Sequence, residues 1–512
     1  MKEVTSLKAS TKKKTELSVW FLYALAFFLY SPMTAVSSMY GMVGDTAIQI
    51  KVGIDDIRLH KLITEEIYSW HEGLVWTAHE QGWYFLLGAM YKILGIAGVI
   101  LVGALFIYGT VYLIVKFNAG KVHPLIFGAI LTVIPIVGAF PDYNVRPSVV
   151  STFFIVLMIT SFLNEWSGKK LFILFAGSSF IMAWLHGGIL PVYFVVFIVL
   201  IVIELLYKQF KKALVMAAAI PAGFGLSLLN PIGIRIWTFG FIQSAATDIW
   251  ALVEEWQPKT FSIVEIFTVL LVFVGMMTNS KLKEFDKKAV TKVALLSMFF
   301  IMSCLYCRFM LYFTVAYLLF APEEIESLLS WLNKNTFKFD TKKITLSPAF
   351  YGILTAVCLV IALASAGFDI MKYFSANDMT DIEKMAAYDH TVIDIVKEKG
   401  YKKPYNSFNT GSWLLFYDIP VHIDNRIDPF MEEYSGVDHI RGKMMMYSLE
   451  QMDSFRAEYD NDAFIIELSP GYSQMIEDVK GASDRYEIVY DNTIYSDLTD
   501  SIGTRWVIVE CK

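Results

Sequence analysis

The sequence predicts a polytopic, mainly α-helical transmembrane bundle of about eleven spans that carries a small C-terminal α/β domain. Three observations predict it. The 512 residues are 55% hydrophobic and 15% aromatic, with a mean hydropathy of +0.50, which is membrane composition and not that of a soluble globular chain. Long apolar runs recur through the first 369 residues, separated by short turns that carry lysine clusters. Residues 370–512 then shift to mixed charge, with helical stretches at about 379–399 and 436–458 alternating with strand-like runs. The domains are therefore 1–369, a transmembrane helical domain with an outer loop at 39–95, and 370–512, an extracytoplasmic α/β domain.

The spans lie near 17–38, 96–116, 122–140, 146–165, 171–187, 189–207, 212–230, 261–279, 290–306, 309–327 and 349–368. Positive residues prefer cytoplasmic loops. Lys8, Lys12, Lys13 and Lys14 put the N-terminus in the cytoplasm, ahead of an uncleaved first span. Lys116 and Lys121, then Lys169 and Lys170, then Lys208, Lys211 and Lys212 mark further inner turns. Lys281, Lys283, Lys287 and Lys288, and lastly Lys334, Lys338, Lys342 and Lys343, mark the rest. The segment 82–94 is apolar but reaches only about 20 Å as a helix, so it reads as a juxtamembrane helix at the outer interface; the alternative is that it crosses, which would invert the later orientations. The chain thus reads as a multi-pass membrane protein with its N-terminus in the cytoplasm and its C-terminal domain outside. The net charge of −6 excludes a nucleic-acid binder, which needs a basic footprint. Four cysteines are too few for a disulfide framework, and the Cys304/Cys307 CxxC falls inside an apolar run, where it reads as small buried side chains, with a redox or metal pair as the alternative. Glu204 is the one acidic residue well inside an apolar run, placed near the inner end where it reaches water.

With that orientation, nearly every unusual polar residue falls on the outer side. Charges close to hydrocarbon are costly and mark function by default. Asp45 follows the first span and is a candidate general base, with a solvated loop residue as the plain alternative. The loop that follows reads Ser69-Trp70-His71-Glu72-Gly73-Leu74-Val75-Trp76-Thr77-Ala78-His79-Glu80-Gln81-Gly82-Trp83. Its tryptophans read as interfacial anchors. His79 and Glu80 are candidate substrate contacts; adjacent His-Glu pairs lack the one-turn spacing of a zinc helix, so no metal is assigned and a divalent ion is not required. Asp142 and Arg146 flank a turn bounded by Pro141 and Pro147, where they either brace the turn or present a guanidinium to phosphate. His186 ends a helix before two glycines, as a cap or a ligand contact. Glu255 lies in Glu254-Glu255-Trp256, ahead of a span. Arg308 begins another, as a snorkelling side chain or a second phosphate contact. In the outer domain Trp413–Ile423 reads as a strand, and Asp424, Arg426 and Asp428 alternate so that a strand would place all three on one face. That arrangement is either a salt-bridge ladder or a site for hydroxyls or phosphate.

Nine stretches, in the same order over most of the chain, resemble a family of bacterial polytopic membrane proteins described as GT-C type glycosyltransferases. They are GDTAIQIKVG, WTAHEQGW, VRPSVVSTFF, AWLHGG, LLNPIGIRIW, VEEWQP, CRFMLYF, YNSFNTGSWLLF and VHIDNRID. The resemblance implies transfer of a sugar from a polyprenyl-phosphate donor to a cell-envelope glycan or lipid acceptor outside the membrane. It also implies Asp45 and Asp142 as the two acidic catalytic positions. The sequence departs from the family where an Asp-Glu or DxD is common, reading Gly44-Asp45-Thr46. It departs again where GGY and DGR are common, with Gly411-Ser412-Trp413 and Asp424-Asn425-Arg426. The mechanism expected is a metal-independent inverting transfer. Arg146 or Arg308 neutralises the leaving phosphate, Asp45 takes the acceptor proton, and His79, Glu80 and His186 orient sugar and acceptor. Two other classes compete: a non-catalytic scaffold of envelope glycan assembly, and a transporter or lipid flippase, which favours midplane polar sites and internal repeats.

Overall fold

The computed structural model describes residues 18–26, 42–136, 145–251, 253–335, 347, 349–357, 360, 364, 379–385, 388–468, 473–492 and 505–512. The chain divides into two compact units. One comprises 1–37, 101–230 and 250–371; the other comprises 38–100, 231–249 and 372–512.

The first unit is helical. Ile96–Asn118, Gly168–Leu185, Gly187–Leu206, Phe210–Ser227 and Lys287–Leu305 are long and apolar enough to cross a membrane. Ser148–Leu163 and Ile263–Thr278 are equally apolar but shorter. The chain is a multi-pass membrane protein. These helices stand where seven of the expected spans lie. The runs at 17–38, 122–140 and 349–368 fall partly outside the described residues. The run at 309–327 is part of a longer helix, Met310–Asn335, which continues past Pro322 into a charged stretch with Glu323, Glu324 and Glu326.

Small residues set how closely these helices approach, as packing without a hydrophobic driving force requires. At Gly275 a Cβ would fall 2.5 Å from the Glu324 carbonyl oxygen, and at Gly223 it would fall 2.8 Å from the Phe175 ring. Buried charge is paired where it occurs. Glu204 does not reach water as expected: it is fully buried and accepts Lys212 at 2.7 Å and Lys287 at 2.8 Å. Both ammoniums also lie about 5 Å over the Phe162 ring, so their desolvation is shared by a carboxylate and a π face.

The second unit is assembled from three distant stretches. Residues 45–59, expected as loop, form the helix Asp45–Leu59. It packs on Gln81–Leu94 with backbone nearly touching backbone. A Cβ on Gly53 would sit 1.8 Å from the Tyr84 carbonyl oxygen, and one on Gly88 2.2 Å from the Gly53 carbonyl carbon. The segment 231–249 joins this unit through stacking of Phe239 on His79 at 3.9 Å, a Tyr434 hydroxyl bond to the Phe239 carbonyl at 3.1 Å, and an Arg441–Asp248 ion pair.

The C-terminal part carries a four-stranded sheet of β1 (Tyr405–Asn406), β2 (Ala463–Leu468), β3 (Tyr486–Asp491) and β4 (Arg505–Cys511), in the order β1-β2-β4-β3. β1 is parallel to β2; the other pairs are antiparallel. Phe464, Ile466, Val507 and Val509 bury one face together with Tyr405, Phe455 and Ile476. The run expected as a strand at 413–423 begins instead within the helix Phe408–Phe416 and continues as turn and loop, with one isolated bridge from Val421 to Ser69. A short apolar run carries no period that separates the two states. Tertiary fit decides: Gly411 sits where a Cβ would be 2.0 Å from the Ile423 carbonyl, and the Trp413 indole donates to Glu383 at 2.7 Å. The single helix expected at 379–399 is two, Met379–Met385 and Thr391–Lys399, and the one expected at 436–458 is confined to Leu449–Tyr459.

Gly88→Ala and Gly53→Ala force the Asp45–Leu59 and Gln81–Leu94 helices apart. Each is expected to destabilise by about 1–3 kcal/mol or more, read as a lowered thermal midpoint in detergent. Gly177→Ala, where a methyl meets nothing within 4 Å, leaves the midpoint unchanged or raises it. Equal behaviour of the three variants would refute the close crossing.

Candidate functional site

In the first unit three loop ends converge. Arg146 precedes Pro147 and the helix Ser148–Leu163, Glu255 lies in the turn Glu254–Trp256, and Arg308 lies in the turn Cys307–Phe309. The backbone N–H of Cys307 donates to the Gln257 carbonyl at 2.8 Å, which ties the last two turns together. Arg146 pairs with Glu255, and the Arg308 guanidinium lies 5.0 Å from the centre of the Trp256 ring. Burial pushes the Glu255 carboxyl up, but the charges of Arg146 and Arg308 outweigh it and hold the group below the usual carboxylate range. The side chains of Arg146 and Glu255 remain 25% and 35% exposed. A ligand can therefore reach the Arg146–Glu255 pair, whose carboxylate also feels the charge of the exposed Arg308.

His186, the residue that ends Gly168–Leu185, is buried beside this group. Its Nδ1 is 2.9 Å from the Ser151 hydroxyl, itself 2.8 Å from the Tyr312 hydroxyl. Tyr312 is one helical turn beyond Arg308. Arg146, His186, Glu255 and Arg308, singled out separately in the sequence, thus belong to one neighbourhood. Asp142 lies outside the described residues. Cys304 and Cys307 are half-buried free thiols.

In the second unit Asp45 opens the helix Asp45–Leu59 and is half-buried. A carboxylate is stabilised in the first turn by the helix dipole. Further along, a polar seam runs between the two crossing helices. Trp83 donates its indole N–H to Gln49 at 3.0 Å, Gln49 donates to Glu80 at 3.3 Å, and Gln81 donates to Asp56 at 2.7 Å. Burial pushes the Asp56 carboxyl up to about 6, against the lowering effect of hydrogen bonds from Ile63 and Gln81. His79 turns its Nδ1 to the Thr77 carbonyl at 2.9 Å and brings Nε2 to 3.6 Å from Glu80. Trp76 and Trp83 are not interfacial anchors. They are 1% and 0% exposed, buried within this unit.

Asp424, Arg426 and Asp428 are not on a strand. The Arg426 amide and guanidinium both bind Asp424, the guanidinium also pairs with Glu66, and it lies over the Trp76 ring at 4.8 Å. All three charged side chains are at most 4% exposed. The guanidinium fork is occupied by protein carboxylates, so this is a buried ion cluster that joins residues 66 and 424–426. Ile427, between Arg426 and Asp428, adopts φ +64° and ψ −59° with the Asp428 N–H bonded to the Arg426 carbonyl at 2.7 Å. That is a strained γ-turn at a β-branched residue, set between Arg426, which is tied to Asp424 and Glu66, and Asp428, which is tied to the Thr77 N–H. Burial raises the Asp428 carboxyl far above the carboxylate range; its Oδ2 accepts the Thr77 N–H at 2.8 Å.

Glu66, Asp56 and the meeting of histidines 71, 422 and 439 escaped the sequence reading, which weighed His71 only as part of a His-Glu pair. The acidic residues sit in a stretch that reads as solvated loop. The histidines are distant in sequence, and the local signal for any of them is nil. His71 Nε2 is 3.0 Å from His422 Nδ1, His71 stacks on His439 at 3.9 Å, and His439 Nδ1 is 3.1 Å from the Tyr459 hydroxyl. Burial lowers His71 to about 3, with His439 and Lys443 adding to the effect, and lowers His422 and His439 as well. Among the described residues no group of three or more His, Cys, Asp or Glu has the geometry to hold a metal ion.

These groups generate two predictions. Glu66→Gln leaves Arg426 short of a buried partner and is expected to cost about 3–5 kcal/mol, read by chemical unfolding. A loss near zero would show that the cluster contributes nothing to stability. The histidines are neutral when folded, whereas the unfolded chain takes up protons below about pH 6.5. The unfolded state then binds more protons, so stability falls as pH drops from about 6.5 toward 3. The thermal midpoint should fall between pH 7 and pH 5, with a shallower slope in His439→Gln; a flat profile in the wild type contradicts this.

The sequence matches no protein-family model and no curated protein. Its structure is similar to the solved structure of the Archaeoglobus fulgidus oligosaccharyltransferase in the apo form. The TM-score is 0.52 at 11% identity, covering 87% of this chain and 69% of that one. The same enzyme tethered by a disulfide to an acceptor peptide containing the NVT sequon gives 0.51 at 10% identity, over the same shares of the two chains. The likeness is one of fold: over most of its length this chain shares the architecture of that solved structure.

Proposed function

We propose that this protein is a bacterial membrane glycosyltransferase. It transfers a sugar from a polyprenyl-phosphate donor to a cell-envelope glycan or lipid acceptor on the outer side of the membrane. The observation that carries the reading is the accessible Arg146–Glu255–Arg308 group on a chain of this fold. Two fixed guanidiniums suit a phosphate that gains charge as it leaves, because preorganised cations stabilise developing charge without reorganising. The likeness to an oligosaccharyltransferase, which takes a peptide acceptor in the tethered structure, supports the transferase class.

In the proposed reaction an acceptor hydroxyl oxygen bonds to the anomeric carbon while the carbon–oxygen bond to phosphate breaks. The polyprenyl phosphate leaves with the bonding electrons, and its charge is met by Arg146 and Arg308. The hydroxyl proton passes to Asp45. One displacement inverts the anomeric centre. Glu255 positions Arg146, and His186, His79 and Glu80 orient the sugar and the acceptor. No metal is assigned to the step.

The test is sugar transfer by purified protein offered a panel of polyprenyl-phosphate sugars, with and without a chelator. Asp45→Asn is expected to lower turnover at least about a hundred-fold with an unchanged thermal midpoint. Arg308→Gln is expected to lower it by about ten-fold to a thousand-fold. Wild-type rate in Asp45→Asn removes that residue as base, and loss of transfer to chelator removes the metal-independent route. Donor binding without turnover, under any acceptor tried, favours the scaffold class.

A further inference from the structure

The opposite end of the first unit, where the lysine turns gather, holds a cavity of about 850 Å³. Lys121, Lys281, Lys283, Lys288 and Lys292 line it, together with the carboxylates Asp286, Glu323 and Glu326. The charges do not cancel. Glu323 accepts Lys281 at 3.1 Å and Lys292 at 2.6 Å, and Lys292 also reaches Glu324 at 3.2 Å. Asp286 caps the helix Lys287–Leu305 by accepting the backbone N–H groups of Lys288 and Ala289. Among the described residues, Lys121, Lys283 and Lys288 make no ion pair with a carboxylate, whereas Glu326 is the only lining acid left over. Lys121 lies 3.6 Å from the centre of the Phe117 ring. Its ammonium is held below the usual lysine value by burial and then by Lys288, Lys292 and Lys281, against Glu323. The lysines therefore act on one another across a shared space.

The walls contribute the second half of the recognition. Phe117, Leu163 and Trp331 line the same cavity, and Trp331 is 44% exposed, a residue type that settles at the level of lipid headgroups. An anion with an apolar body fits such a lining better than a free ion does. Basic pockets between membrane helices bind anionic headgroups by this combination of charge and wall, with lysine serving as a point charge for phosphate.

We propose that this cavity binds the phosphate of an anionic phospholipid, at the end of the bundle remote from the Arg146–Glu255–Arg308 group. The site is independent of the proposed transfer reaction and stands or falls without it.

The experiment uses full-length protein purified in neutral detergent, with bound lipid counted by native mass spectrometry. Phosphatidylglycerol and phosphatidylcholine are added in parallel, and a third arm adds inorganic phosphate to the phosphatidylglycerol sample. The triple variant Lys121→Gln, Lys283→Gln, Lys288→Gln removes no ion pair and should melt as wild type does. It is expected to retain at least about ten-fold less phosphatidylglycerol. The control pair Lys169→Gln, Lys170→Gln, in a neighbouring lysine turn outside the cavity, should retain as much as wild type. The proposal is overturned if the control loses as much lipid as the triple variant, which would reveal diffuse surface attraction. It is also overturned if wild type retains both lipids equally, or if inorganic phosphate at the lipid concentration displaces the lipid, the behaviour of a free-anion site.

Discussion

Burying a charge is tolerable only when its partner is buried with it, and that constraint organises both units of this protein. In the second unit the Arg426 guanidinium is held by Asp424 from its own turn and by Glu66 from a stretch some 360 residues earlier. The pairing therefore fixes the register of the first long loop on the C-terminal domain. Tyr68 and Trp76 then close over the same guanidinium, and the strained turn at Ile427 is the local expense of holding Arg426 and Asp428 in place.

The first unit obeys the same rule in an apolar setting. Glu204 is fully buried and shares two lysines, and Lys292 shares Glu323 and Glu324. Asn279, the C-cap of Ile263–Thr278, donates to Glu324 at 2.9 Å, so a chain of compensated charges pins five helices at one end. At the other end the Arg146–Glu255 pair stays partly open. The difference matters for function. A closed network has spent its hydrogen-bonding capacity on the protein, whereas an exposed guanidinium can exchange part of its pairing for a ligand phosphate.

Several site residues were legible because they break a local rule. Arg146, His186, Glu255 and Arg308 are polar residues at the ends of apolar runs, and such residues stand out against their neighbours. Asp424 and Arg426 stood out as well, but exposure separates them from Arg146, Glu255 and Arg308: they are shut inside a structural cluster. Glu66 and Asp56 were illegible, since a carboxylate in a polar stretch looks solvated until a distant Arg or a buried helix crossing is brought to it. The strand expected at 413–423 failed for a related reason. Trp413, Leu414 and Leu415 are apolar under either period, and only the contacts of Gly411 and Trp413 choose the helix.

The sequence by itself determined the membrane class, the positions of the long apolar helices and the segregation of lysines from the other polar residues. These follow from hydropathy and charge counted along the chain, quantities that neighbouring residues carry without help. The tertiary structure alone decided that 38–100 and 231–249 fold with 372–512, that the histidines 71, 422 and 439 meet, and which arginines stay open to a ligand. Those outcomes depend on pairing energies between residues hundreds of positions apart, and a pairing leaves no mark on either partner's local sequence.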